Sequence, residues 1–168
     1  ICNNNQDFIT PQKNIEGIGL ILKMFNWAAR EKLLVLDIST PYKITVQNVE
    51  LSGHIPVIIG TQDKNYEILF TNFSNRIPDQ RQVDMSLKYT LSSYACKSIF
   101  DRRESGLKIH SVKYDKNILS QRTDDSYNRT ETAIRNIGNG IINSIFYPRE
   151  GIDCNTCGAR QYCQYWFI

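Results

Sequence analysis

Behind Thr10-Pro11, a cap oxygen followed by a residue preset for a first helical turn, the apolar positions Ile15, Ile18, Leu22, Phe25 and Ala29 recur at helical spacing. The spacing predicts a helix with one face in the core. From Pro41 the pattern changes to short runs rich in β-branched and aromatic residues, at 42–49, 51–59 and 66–73, broken by Asn48 and by the polar stretch 60–65. These runs predict a three-stranded meander. Pro78-Asp79 opens a second helix, with Val83, Leu87, Leu91, Ala95 and Ile99 in register as far as Phe100. Residues 107–114 alternate imperfectly and predict a strand beside the first three. Asp124 or Asp125 caps a third helix, whose Ile134, Ile137, Ile141 and Ile145 form an apolar stripe before the chain breaks at Phe146-Tyr147-Pro148-Arg149.

Helix, three strands, helix, strand, helix is the order of an α/β fold. Each amphipathic helix needs an apolar sheet face to cover, so the elements predict a mixed central sheet flanked by helices. The 168 residues suit one domain spanning 1–168, and the change of texture near Pro148 marks a change of role within it. No apolar run is long enough to span a bilayer, which argues against a membrane partner. A net charge of +3 permits contact with phosphate without requiring it. There is no signal-peptide pattern, and a chain that starts at Ile1 rather than Met reads as a piece of a longer protein. Five cysteines would leave one thiol unpaired in a disulfide framework. This favours an intracellular protein of cytoplasm or nucleoid over a secreted one, despite glycosylation-like triplets such as Asn128-Arg129-Thr130.

The cysteines carry the strongest chemical signal. Cys154-Asn155-Thr156-Cys157 followed by Cys163 sets three thiolates in one tail, 149–168, where they can turn around a single metal centre. A fourth ligand must come from far away, from Cys2 or Cys96. Cys96 lies inside a predicted core helix, where an isolated Cys behaves as a small buried hydrophobe, so Cys2 is the better ligand. An iron–sulfur cluster, a structural zinc and disulfides all remain open on spacing, although zinc ribbons usually bring two local ligand pairs. His54 and His110 read as ordinary strand residues.

The run from Ile141 to Cys154, with Cys157 and Cys163, resembles the carboxy-terminal end of RecB-type nucleases of the PD-(D/E)XK superfamily. Members with this tail include the B subunits of AddAB-type helicase–nucleases and the CRISPR-associated RecB-like exonucleases. The resemblance implies a restriction-endonuclease-like core and a [4Fe–4S] cluster on Cys2, Cys154, Cys157 and Cys163, with the tail closing back onto Cys2. It also locates the family's catalytic positions. Leu51-Ser52-Gly53-His54-Ile55-Pro56 looks like the strand carrying Gly-x-Ile-Asp, with Pro56 at the metal-binding Asp. Glu67 to Ser74 looks like the strand carrying acid-x-Lys, with Phe70 and Asn72 at those two positions. Met85 stands where a Gln is expected four residues before Tyr89, and Gly17-Ile18-Gly19-Leu20-Ile21 lacks the family's frequent His.

Family members cleave phosphodiesters with divalent cations held on two carboxylates while a Lys positions the water. Proline, Phe and Asn supply none of this, so the resemblance implies a pseudoenzyme with no catalytic residue. Such a module would support a larger DNA replication, recombination or repair assembly, by binding DNA or by scaffolding a protein partner. The alternative is an active metal-dependent DNA exonuclease whose oxygens come from Asp37, Glu50, Asp63 or Glu67. Candidate DNA contacts are Arg102, Arg103, Lys108, Lys113, Arg122, Arg129 and Arg135, with Tyr114 and Tyr127 available to stack on bases.

Overall fold

The computed structural model describes residues 11–145. Helix α1 (Pro11–Arg30) leads into strands β1 (Leu34–Val46), β2 (Val49–Gly60) and β3 (Tyr66–Asn72). Helices α2 (Gln80–Asp84) and α3 (Leu87–Phe100) cross over to β4 (Gly106–Ser111), and β5 (Lys116–Ser120) and α4 (Asp124–Ile142) complete the order. The five strands form one sheet in sequence order. All neighbours are antiparallel except β3 and β4, which run parallel with Phe70 beside Ile109. This is the α/β arrangement with a mixed sheet that the apolar pattern predicts.

Local chemistry accounts for the turns and caps. Gln47 and Asn48 both adopt positive φ between the paired Val46 and Val49, as the tight hairpin turn whose twist suits flanking strands requires. Asp79 caps α2 through a reciprocal pair: its carboxylate accepts the Gln82 N–H, and the Gln82 side chain accepts the Asp79 N–H. Thr123, rather than Asp124 or Asp125, caps α4 in the same way with Ser126.

The sheet separates two apolar clusters. Ile58, Ile68, Phe70, Leu107 and Ile109 meet Val83, Ala95 and Cys96 of the crossover helices and Ile134 of α4. On the other face Ile59 and Leu69 pack with Trp27 of α1. The imidazole of His110 stacks flat on the Trp27 ring at 3.6 Å. Gly138 lets α4 approach the β1–β2 hairpin closely, since a Cβ there would stand 2.5 Å from Val49 Cγ2.

Several expectations need correcting. The predicted core stripe of α1 is not buried: Ile15, Ile18, Leu22 and Phe25 are exposed, and the helix is anchored by Trp27 near its end. On α4 only Ile134 of the predicted stripe is buried, while Ile137, Ile141 and Ile145 are exposed. The single helix predicted after Pro78 is two, separated at Met85-Ser86. β1 begins at Leu34, well before Pro41, and the strand expected over 107–114 ends at Ser111 in a single 3-10 turn (Val112–Tyr114) before β5.

Candidate functional site

The three positions singled out in the sequence share one region of the sheet. β2 and β3 pair antiparallel through Val57 with Leu69 and Ile58 with Ile68, and Pro56 and Phe70 are each the next residue beyond the first of these pairs. Side chains alternate along β3, which puts Phe70 and Asn72 on the face of Ile68, towards α3, whereas the alternation of β2 breaks at Pro56, between Ile55 in the main cluster and Val57 on the Trp27 side. Phe70 is core, 4% exposed, with the edge of its ring against Tyr89 at 4.5 Å between centroids. The Lys88 ammonium lies 5.7 Å from the Phe70 ring centre. Asn72 is committed to its own loop: its amide donates to the Arg76 carbonyl at 2.8 Å, and its carbonyl oxygen accepts the Ser74 N–H at 3.0 Å. Beyond it an open groove runs between the segment 71–79 and the start of α3, with Arg76 on one bank and Lys88 and Tyr89 on the other.

The carboxylates considered as replacements are each engaged elsewhere, apart from Asp63, which is exposed in the β2–β3 turn. Glu50 pairs with Lys43 at 3.0 Å and Glu67 with Lys108 at 3.3 Å. Asp37 accepts the Ile38 N–H and the Thr40 hydroxyl. Among the described residues no three of His, Cys, Asp and Glu gather as a group able to hold a metal.

The predicted DNA contacts scatter. Arg122 is not a surface cation: it is 8% exposed, and its guanidinium donates to the carbonyls of Asp84 (2.7 Å) and Val83 (3.0 Å) and to the hydroxyls of Ser120 (2.7 Å) and Thr90 (3.3 Å). Arg103 pairs with Asp124 and lies over the Tyr127 ring, and Lys108 pairs with Glu67. Arg102 lies over Tyr66 and reaches the Lys64 carbonyl. Tyr127 is buried, its hydroxyl 2.6 Å from Ser93 Oγ, and so is withdrawn from stacking on bases. Arg129 and Arg135 are exposed on α4. Lys113 is exposed and bonds Asn75 Oδ1 at 2.6 Å.

The proposed cluster ligands Cys2, Cys154, Cys157 and Cys163 lie outside the described residues. Their competitor Cys96 is fully buried, and burial pushes its thiol up to about 12, far from the thiolate a metal needs. His110 is likewise buried against Trp27. Loss of solvent lowers its pKa, partly countered by Asn117, whose Oδ1 lies 2.9 Å from Nδ1, so the ring is a neutral packing element. His54 is exposed on β2.

Residues 11–145 thus define an α/β domain with a mixed five-stranded sheet and a groove at the carboxy-terminal end of β3. No helix among them is long and apolar enough to cross a membrane. No family model and no curated protein matches the chain. Among solved structures it is similar to the protein in the crystal structure of SSO0001, at 13% sequence identity and a TM-score of 0.50, over 95% of this chain and 73% of that one. At that identity the likeness is one of fold.

Proposed function

We propose that the chain is a catalytically inactive nuclease-like module of the RecB type, with a restriction-endonuclease-like core, serving a DNA replication, recombination or repair assembly. The observation that carries the reading is that Phe70 and Asn72 share one face of β3, next to the strand that bears Pro56. A metal-dependent phosphodiesterase needs two carboxylates and a Lys at such a place, and here they are replaced by an imide ring, a buried phenyl and a loop-tethering amide. Tyr89 against Phe70 supports the same alignment, because the related helix presents a Tyr there.

Cys2, Cys154, Cys157 and Cys163 would hold a [4Fe–4S] cluster, whose contribution is to tie the two ends of the chain together. Protein purified without oxygen is expected to be brown, with iron and acid-labile sulfide in cluster proportions. Cys163→Ser should lose both, and Cys96→Ala should keep them. Colourless protein with stoichiometric zinc would replace the cluster by a zinc site.

Incubated with magnesium or manganese, the chain is expected to leave single-stranded and duplex DNA intact on a sequencing gel. Cleavage that survives stringent purification and disappears with Glu67→Gln or Asp63→Asn would instead establish the active exonuclease.

A further inference from the structure

We propose that Glu104 works a proton-dependent clamp between the connection from α3 to β4 and the first turn of α4, closed while its carboxyl is neutral and loosened as the carboxyl ionises. The clamp is independent of the nuclease-like reading. Its first ground is geometry. Glu104 stands in the link between Phe100, the end of α3, and Gly106, the start of β4. Its Oε1 accepts the hydroxyl of Ser93 on α3 at 2.6 Å, and that hydroxyl lies 2.6 Å from Tyr127 Oη on α4. Ser93 and Tyr127 are both buried. The guanidinium of the preceding residue, Arg103, lies 4.7 Å from the centre of the Tyr127 ring and pairs with Asp124. Two successive residues of one link thus hold Tyr127, one at its ring and the other, through Ser93, at its hydroxyl. Ser105 fixes the far side of the link, since its N–H and its hydroxyl both donate to the Tyr66 carbonyl, at 2.8 and 3.0 Å.

Charge is the second ground. Glu104 Oε2 is closed off from solvent and has no hydrogen-bond partner among the described residues. Ionisation would place part of a negative charge on that oxygen, which costs far more than burying a neutral carboxyl. The two hydroxyls accept either state because both can reverse. Tyr127 donates to Ser93 and Ser93 to the carboxylate, or the carboxyl donates to Ser93 and Ser93 to Tyr127. Burial raises the Glu104 pKa above its ordinary value, against the Ser93 hydroxyl, the residue's own amide and the guanidinium groups of Arg122 and Arg103, which favour the charged form. Cys96 on α3, Tyr66 on β3 and Tyr127 on α4 face the same place, and burial raises all three, so they keep their protons while Glu104 titrates. Of the other cations nearby, Arg102 lies over the Tyr66 ring and Lys97 over the Tyr127 ring. The clamped segments are also two sides of one groove, lined by Ser105 and Gly106 from the link and by Thr123 and Ser126 from the start of α4. Loosening the clamp would free those sides to move apart.

Amide hydrogen exchange of the full chain, compared with Glu104→Gln across pH, tests the proposal. A raised pKa means that the folded chain keeps a proton which the unfolded chain has lost, so stability falls as pH rises from roughly 4.3 through the raised value. Gln keeps the shape and stays neutral throughout, and every other titration is common to both proteins. After correction for intrinsic rates, the amides of 101–105 and of the first turn of α4 are expected to open at least about threefold more often at roughly pH 8 than at roughly pH 5 in the parent, and equally often in Glu104→Gln. Urea midpoints of the two proteins should converge at the acid end and separate as pH rises, with the variant the more stable. A carbon NMR titration of the Glu104 carboxyl in the parent reads the same proton without any substitution, and its midpoint should lie above the ordinary carboxylate range. Midpoints that run parallel across pH, a parent more stable than the variant at high pH, or a carboxyl that titrates in the ordinary range overturn the proposal. So does a pH-dependent urea midpoint without local opening of these two segments, because the proton would then stabilise the fold without working a clamp.

Discussion

Arg122→Ala should destabilise the chain by roughly 3 to 5 kcal/mol, seen as a lowered urea midpoint with an unchanged slope. The side chain is a buried guanidinium whose two terminal nitrogens reach the carbonyls of Val83 and Asp84 and the hydroxyls of Ser120 and Thr90. Truncation removes a charged donor from both carbonyls at the end of α2, although Val83 still accepts the Ser86 N–H. Ser120 Oγ also donates to Asp84 Oδ1, so the loss would spread through a connected network. Arg122→Lys should recover only part of the loss, because a compact ammonium does not span two divergent carbonyls as a planar fork does. Burial lowers the guanidinium pKa from its usual value, yet the group starts so high that it stays charged across the physiological range. If Arg122→Ala costs no more than Arg129→Ala and instead weakens DNA binding, the residue is a surface contact after all.

The second large effect is expected at Phe70. Phe70→Ala should cost roughly 3 to 5 kcal/mol, the range for emptying a buried aromatic site, because the ring is enclosed by the main cluster and packs edge-on against Tyr89. Phe70→Glu, which supplies the acid that the proposed nuclease alignment expects at this position, should cost at least as much, since the carboxylate would enter an apolar core without a partner. Manganese should not rescue it: Pro56 on the neighbouring strand offers no second carboxylate. Thermal melts with and without manganese measure this directly. A metal-dependent rise in the midpoint of Phe70→Glu, absent from the parent, would mean that the metal site persists and lacks one ligand.

The chain announced its layers more clearly than its site. The meander was readable because β-branched runs are punctuated by Asn48 and by Gly60 to Asn65. The early start of β1 was not: Pro41 reads as a breaker, but β1 is an edge strand with a single neighbour, and an edge position tolerates a residue without an N–H. β5 was hidden because it is short and buries one large apolar side chain, Ile118. The joint at Met85-Ser86 was invisible because Val83 and Ala95 keep a helical phase across it. Arg122 looked like any other basic residue, since only the tertiary fold brings it to the Val83 and Asp84 carbonyls. Arg76 and Lys88 escaped notice for the converse reason: each stands alone in sequence, and the crossover from β3 to α3 places them on facing banks.

The joint between α2 and α3 is where two short helices would ordinarily hinge. Arg122 grips the carbonyls just before it and the Thr90 hydroxyl just after it, so both helices are held by one side chain. Gln82 on one side of the joint and Lys88 and Tyr89 on the other therefore form a single rigid wall of the groove. Freezing a backbone residue costs roughly 1 to 2 kcal/mol, and each 1.4 kcal/mol is about tenfold in affinity. That ordering is completed when the chain folds, so any molecule entering the groove would meet a wall already set. The burial that withdraws Arg122 from the surface gives it the task of holding that wall in one shape.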